Sequence, residues 1–241
     1  MTPNAEYIIG IHYELVQLFI EDEDPIFPPG PKNENLIYSA AERPNINIGG
    51  IEKYATYDTK VACLFHSLIQ NHPFHNGNKR TALVTLLVAV DQNGRSIEAT
   101  DDEIFDFVVA VAGRKEPFNG GSDDVVDEIS AWIRKHCLTR KNVASNMAAF
   151  DFLKGCEKLG CKIKETSDGR AWSISSPFKK SIRFNKKHET LDGNVIRKYL
   201  KILNLTEPKA GIYLDEFQNG IGPEHKLIIK YRTVLRRLSH A

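Results

Sequence analysis

His72-Pro73-Phe74-His75-Asn76-Gly77-Asn78-Lys79-Arg80 is the stretch on which the reading of this chain turns. Its proline and glycine break any continuous helix, yet helical spacing runs up to it and away from it. Val61, Leu64, Phe65 and Leu68 fall at i, i+3, i+4 and i+7 before it, and Leu83, Leu86, Leu87 and Val90 repeat the pattern after it. A loop joining two core helices is therefore expected. The second helix opens near Asn78, where backbone N–H groups lack intrahelical partners and the dipole is positive, an arrangement that suits an anion. Gly77 lets the backbone approach a ligand closely. Lys79 and Arg80 add two cations at a helix end that disfavours cations, so together they call for an anion. One is a compact charge and the other a fork suited to phosphate oxygens. The imidazole of His72, a few residues away, can take a proton from an attacking hydroxyl. Phosphate binding beside a base implies phosphoryl or nucleotidyl transfer.

Outward from this loop, the first half reads as almost all helix. Ile8, Ile11, Leu15 and Leu18 form an apolar stripe, followed by a loop rich in proline and acidic residues from Glu21 to Lys32. Thr100 with Glu103 makes a capping box that opens another helix, striped by Ile104, Phe107, Val108 and Val111. A further helix is expected from Ser122 to about His136. Before residue 140 the one strand signal is a short hairpin near Ile46 to Ile51. The second half changes character. Ala149, Phe152, Leu153 and Cys156 mark a helix that stops at Gly160. Alternation follows at Cys161, Ile163 and Glu165, then at Trp172 and Ile174 after the turn Ser167-Asp168-Gly169, then at Ile182 and Phe184, which predicts a small antiparallel sheet. Helical spacing returns at Ile196, Tyr199, Leu200 and Leu203, and again at Ile228, Tyr231, Leu235 and Leu238. The fold class is mainly α: a helical domain over 1–140, followed over 141–241 by a smaller α+β domain of helix, three-stranded antiparallel sheet and helix.

Composition narrows the class of protein. A chain of 241 residues with 41% hydrophobic and 26% charged residues is neither disordered nor fibrous, and is long enough for two domains. Apolar runs such as Ala82 to Val90 are too short to span a bilayer, and the first ten residues do not form a secretory signal. A cytoplasmic protein with no membrane partner is expected. Residues 1–140 hold 12 Lys and Arg against 21 Asp and Glu, whereas residues 141–241 hold 20 against 10. Such opposite charge suggests either different partners for the two halves or an attraction between them. Cys63, Cys137, Cys156 and Cys161 have neither metal-site nor disulfide-framework spacing, so reduced thiols are expected.

The nine-residue loop resembles the signature of the Fic/Doc superfamily, His-x-Phe-x-Asp/Glu-Gly-Asn-Gly/Lys-Arg, at eight of its nine positions. The continuation through Thr81-Ala82-Leu83 looks like the Doc (death-on-curing) branch, because adenylylating relatives usually carry glycine at position 79 and arginine at position 83. Leu36-Ile37-Tyr38-Ser39-Ala40-Ala41-Glu42-Arg43-Pro44 looks like the family's target-docking flap, and the resemblance continues past Asp91-Gln92-Asn93-Gly94, covering roughly 1–135. It implies His72 as the catalytic base on a protein Ser, Thr or Tyr hydroxyl, and Phe74 as the core anchor. It implies ATP as co-substrate, its phosphates held by Gly77, Asn78, Lys79 and Arg80, and a docking flap using Tyr38, Ser39, Ala40 and Arg43. Bulk at Lys79 goes with a reversed nucleotide pose, so that the γ-phosphoryl group is transferred. The position that holds Mg²⁺ in the family carries Asn76 here, a neutral and weaker ligand for a hard cation.

The second half distantly resembles the double-stranded-RNA-binding-like fold of HicA toxins, with Gly169-Arg170-Ala171-Trp172 where those proteins place a strand histidine. Lys179, Lys180, Arg183, Lys186 and Lys187 would form a phosphate-tracking face for nucleic acid, or a basic surface that docks the acidic first half. The expected function is that of a nucleotide-dependent transferase, Doc-like phosphorylation being favoured, in a bacterial toxin paired with an antitoxin. The alternatives are protein adenylylation on the same fold, and a non-catalytic protein-binding or nucleic-acid-binding module in which Asn76 marks lost metal chemistry.

Overall fold

A computed structural model describes residues 2–139, 146–206, 214–219 and 222–241. Asn4 starts the first helix, α1 (Ala5–Leu18), by accepting the Tyr7 N–H at 2.9 Å, the bond that an N-cap supplies to an otherwise orphaned donor. Asn33 does the same for α2 (Glu34–Glu42) through Asn35 N–H. A short hairpin of β1 (Asn47–Ile48) and β2 (Ile51–Glu52) lies where the sequence signals one. Thr56 and Thr59 then cap α3 (Tyr57–Asn71) reciprocally. Val61, Leu64, Phe65 and Leu68 are all buried along it.

Helix α4 (Asn78–Gln92) departs from the expected stripe. Every residue from Arg80 to Val90 is buried, because Ala82, Val84, Val88 and Ala89 are apolar on the faces that the stripe leaves open. A helix that is apolar all round belongs at the centre of a core, and α1 and α3 pack against this one. A strand pair then appears that periodicity does not announce. β3 (Arg95–Ile97) pairs antiparallel with β4 (Cys137–Thr139), in the register Ile97 with Cys137, and three residues are too few to establish an alternation. Between them lie α5 (Asp101–Ala112), opened by the Thr100–Glu103 capping box, and α6 (Ser122–His136).

The chain divides into two compact units, one made of Met1–Arg140 with Glu224–Ala241, the other of Lys141–Pro223. In the second unit, β5 (Met147–Ala148) leads into α7 (Ala149–Lys158) and then into the sheet of β6 (Lys162–Glu165), β7 (Ala171–Ser175) and β8 (Ser181–Asn185). Trp172 lies opposite Phe184 and Ile174 opposite Ile182 in the β7–β8 register. β9 (Thr190–Leu191) pairs back to β5, and α8 (Gly193–Ile202) and α9 (Leu214–Asn219) complete the unit. Phe152, Cys156, Ile174, Phe184, Ile196 and Leu200 form its own core. The helix, three antiparallel strands and helix are as the sequence predicts. Of the five cations read as a phosphate-tracking face, Arg183 is paired with Asp168 and Lys186 with Glu165. That leaves nucleic-acid binding without support.

The last eighteen residues correct the expected domain boundary at 141–241. α10 (Pro223–Lys230) and α11 (Arg232–Arg237) place Ile228, Tyr231, Val234, Leu235 and Leu238 in the core of the first unit. Their spacing announces a helical stripe but cannot say which core receives it. Charge adds to the choice. This segment carries five Lys or Arg against one Glu, and Arg237 reaches Asp102 at 2.7 Å while His225 pairs with Glu14. The attraction of basic chain for the acidic first half is thus realised within one unit. Among the described residues no helix is long and apolar enough to cross a membrane.

Candidate active site

Helix α3 ends at Asn71, and His72 caps it in the left-handed conformation, with φ 46° and ψ 56°. A non-glycine residue there is uncommon and such strain gathers at functional sites. Pro73 prevents the helix from continuing. The following loop is closed by Asn78, whose Oδ1 accepts the Phe74 N–H and whose Nδ2 donates to the Phe74 carbonyl, both at 2.9 Å. Gly77 at φ 74° precedes α4, and a Cβ there would lie 3.0 Å from the Ile26 side chain. Only glycine satisfies both the angle and the contact.

Beneath the loop, Phe74 is buried and stacked on His12, ring centroids 4.1 Å apart and planes within 10°. The Gly30 N–H donates to His12 Nε2 at 3.0 Å, which assigns the ring proton to Nδ1 and makes that atom the donor to Thr81 Oγ1, also at 3.0 Å. Burial, helped by the neighbouring Arg80 charge, lowers the His12 pKa to about 4, so the ring is neutral at neutral pH. The segment around Gly30–Asn33 runs beside the loop. Lys32 and Asn33 N–H groups both donate to the Pro73 carbonyl, and Pro31 bridges to Phe74. His12 escapes attention in the sequence because it is polar. Its position, with Ile8, Ile11 and Leu15 at i, i+3, i+4 and i+7, is the signal that marks it as inward-facing.

A cavity of about 140 Å³ opens above this support, lined by His72, the loop from His75, and Lys79, Arg80, Leu238 and Ser239. The structure brings His72 together with Gly77, Asn78, Lys79 and Arg80, and adds a wall from the turn that follows α11. The N-terminus of α4 has no side-chain cap. Arg80 is only 2% exposed. Its Nη1 donates to the Asp24 carbonyl at 3.1 Å, while Nη2 is buried without a hydrogen-bond partner, 3.8 Å from the Asp24 carboxylate. Lys79 Nζ donates to the Ala241 carbonyl at 2.6 Å. The side chain of Asn78 is spent on the loop, so its backbone N–H is what it offers an anion.

Asn76 does not fit a protein-held Mg²⁺. Its Oδ1 accepts the Gly77 N–H at 2.6 Å and its Nδ2 donates to the Phe27 carbonyl at 3.3 Å, which also fixes the amide's orientation. No carboxylate lines the cavity, and among the described residues no three His, Cys, Asp or Glu side chains gather as metal ligands.

Of the residues expected in the docking flap, Tyr38 and Ser39 are exposed on α2. Ala40 is wholly buried, and Tyr38 donates to Glu6 at 3.2 Å. Arg43 is committed to Ser67 at 3.0 Å and Ser122 at 2.7 Å. Neither Ala40 nor Arg43 is available to a docking peptide. The segment that accompanies the motif loop is Gly30–Asn33, whose backbone pairing no side-chain pattern reveals.

Comparison with known proteins gives the following likenesses. Residues 2–90 match the family model described as the Fic/DOC family. Over 71 residues the chain is 32% identical to the "Toxin Doc" of Mycolicibacterium smegmatis, a match spanning 30% of this chain and 55% of that protein.

Proposed function

Residues 2–90 are a Fic/Doc-family segment of the Doc-like branch, and from that premise we propose that the first unit is a nucleotide-dependent transferase that phosphorylates a Ser, Thr or Tyr hydroxyl of a target protein. One observation supports it above the rest. Arg80, whose Nη2 is buried without a hydrogen-bond partner, lines a cavity with the uncapped start of α4 and with the exposed imidazole of His72. Such a donor costs about 1–3 kcal/mol to leave unmade, and an anion bound there would recover that cost. Phosphates of ATP meet the backbone N–H groups of α4 and Arg80. His72 takes the proton of the attacking hydroxyl, whose oxygen bonds the γ-phosphorus as the bond to the β,γ-bridging oxygen breaks and ADP leaves with the electron pair. Lys79 fills the space that a glycine would leave at the first turn, which favours presenting the γ-phosphoryl end. By likeness to the relative named a toxin, the protein would act on cellular proteins and be held in check by an antitoxin protein.

Asn76 favours a second reading. With its amide oxygen on Gly77 and no carboxylate in the cavity, Mg²⁺ would rest on the phosphates alone, and a binding module without catalysis would show the same arrangement. Incubating the full chain with cell lysate and ATP labelled separately at the α- and γ-phosphates tests all three. Label from γ alone on lysate proteins is the expected result. Label from α identifies adenylylation, and no label from either, at any Mg²⁺ concentration, overturns the transferase reading.

A further inference from the structure

His12 is a buried titratable residue that takes no part in the proton transfer, yet its two ring nitrogens hold two different parts of the site. It lies on α1 in the buried stripe of Ile8, Ile11 and Leu15. An aliphatic side chain would fill that stripe equally well. It could not accept the Gly30 N–H, which reaches Nε2 at 3.0 Å, nor hold Thr81 Oγ1 near the start of α4, 3.0 Å from Nδ1. Gly30 is itself buried, so without that acceptor its N–H would be an unpaired donor in the interior. The position also demands glycine, since φ is 88° and a Cβ would lie 2.9 Å from the Tyr13 hydroxyl.

From Gly30 the connection runs to the base. The Gly30 carbonyl accepts the His75 N–H at 3.4 Å, and the N–H groups of Lys32, at 2.7 Å, and Asn33, at 3.2 Å, converge on the Pro73 carbonyl. Phe74, between Pro73 and His75, stacks on the His12 ring. Pro73 directly follows His72, which is exposed and stands in the left-handed region at φ 46°. Such a conformation persists only where its surroundings over-determine it. We propose that His12 is a positioning residue for the transfer: by holding Gly30 it sets the 30–33 segment against Pro73, and so fixes where the His72 imidazole meets the attacking hydroxyl. The proposal rests on the phosphoryl-transfer reading above and deepens it with a residue that acts through others.

The test uses the full chain with γ-labelled ATP and a fixed amount of lysate protein. His12→Asn puts an amide at the place of Nδ1, so it keeps a donor for Thr81 and loses the acceptor for Gly30. His12→Gln carries an amide oxygen to the place of Nε2 and keeps that acceptor. His12→Phe keeps the stack on Phe74 and loses both bonds, and it stands in for His12→Asn should that variant not melt cooperatively. His12→Asn and His12→Phe are expected to lower kcat about 10²-fold, as a misplaced base would. The KM for ATP should not change, because the phosphates meet α4 and Arg80. His12→Gln is expected to restore kcat to within about threefold. The ring-proton NMR signal of His72, assigned by its loss in His72→Ala, should move in His12→Asn and His12→Phe and stay in His12→Gln. Full kcat in His12→Asn or His12→Phe, equal losses in all three variants, or a His72 signal that none of them moves overturns the proposal. Absence of label from the unaltered chain overturns the transferase reading, and the His72 signal then decides by itself whether His12 places the imidazole.

Discussion

Arg80 and Arg232 lie over the same ring, their guanidinium carbons 5.7 and 5.3 Å from the centroid of Phe19. One belongs to the start of α4 and the other to α11, so Phe19 joins the candidate site to the segment that walls it. Two cations sharing a ring need anions nearby, and Asp22 and Asp24 supply them. Hydrogen bonds from Arg236, opposed by burial and reinforced by Arg232, lower the Asp22 pKa to about 2.

Asp22→Asn is therefore expected to loosen the tail more than the rest of the unit. Hydrogen bonds to charged groups are worth about 1.5–3 kcal/mol, and a global loss of about 2 kcal/mol is expected in a urea titration. Amide exchange in 232–239 should accelerate well beyond that in α3. Equal acceleration in both would mean that Asp22 does not hold the tail in particular.

His12 sets a second dependence. Its folded pKa of about 4 lies below the ordinary 6.5, so the unfolded chain binds more protons between those values and stability rises with pH there. The contribution is complete above about pH 6.5 and is lost as pH falls toward 4, at up to about 1.4 kcal/mol per pH unit. His66, lowered likewise by burial and by Arg43, adds to the same window. His12→Gln should flatten the slope of stability against pH from 6.5 to 4, and an unchanged slope would refute the neutral, buried imidazole.

Much of this was legible in the sequence, and the parts that were not share a cause. Helices opened by their own caps, such as α5 at Thr100 and Glu103, are local and were readable. So was the gathering of Gly77, Lys79 and Arg80 at one cavity, because the residues are neighbours. Non-local partners left no trace. Nothing near Arg80 in sequence points to Asp24, and nothing in the stripe from Ile228 to Leu238 says that it packs beside Ile97, whose carbonyl accepts the Tyr231 hydroxyl at 3.2 Å. The docking role given to Tyr38, Ser39, Ala40 and Arg43 came from likeness to a family segment, and likeness does not show which side chains a helix buries.

His72→Ala should reduce transfer by about 10²–10⁴-fold, the usual contribution of a positioned base. His72 already carries a Cβ in the left-handed backbone at φ 46°, so alanine adds little strain there. His72→Asn, which tolerates that conformation better, is the cleaner companion. Both should melt within a few degrees of the unaltered chain, and transfer by either at the original rate would remove the catalytic role.

At Asn76 the opposite change is informative. An aspartate keeps the acceptor for Gly77 N–H, gives up the donor to Phe27 and adds a charge suited to a hard cation. Asn76→Asp is expected to lower the Mg²⁺ concentration for half-maximal transfer by about tenfold, equivalent to about 1.4 kcal/mol. A midpoint that stays put while turnover falls would assign Asn76 to holding the loop.

Lys79→Gly removes both the bulk at the first turn of α4 and the contact with the Ala241 carbonyl, and costs about 1 kcal/mol of helix stability. Transfer from γ-labelled ATP should weaken and some transfer from α-labelled ATP should emerge. The second effect is the smaller, because Leu83 supplies no guanidinium. Unchanged γ-transfer would show that Lys79 does not set the pose.

The connectivity of the first unit has a consequence in time. Tyr7 bonds Glu224 at 2.6 Å, partners 217 positions apart in a chain that a ribosome delivers in order. Residues 1–140 emerge first and can fold around α4. Residue 224 follows only after the whole of 141–223, a delay of roughly 4–17 s at ordinary elongation rates. Throughout that interval the motif loop exists on a nascent chain without α11 beside it. The core around α4 is thus incomplete until Ile228, Tyr231, Val234, Leu235 and Leu238 arrive, so the first unit is finished only by the residues made last.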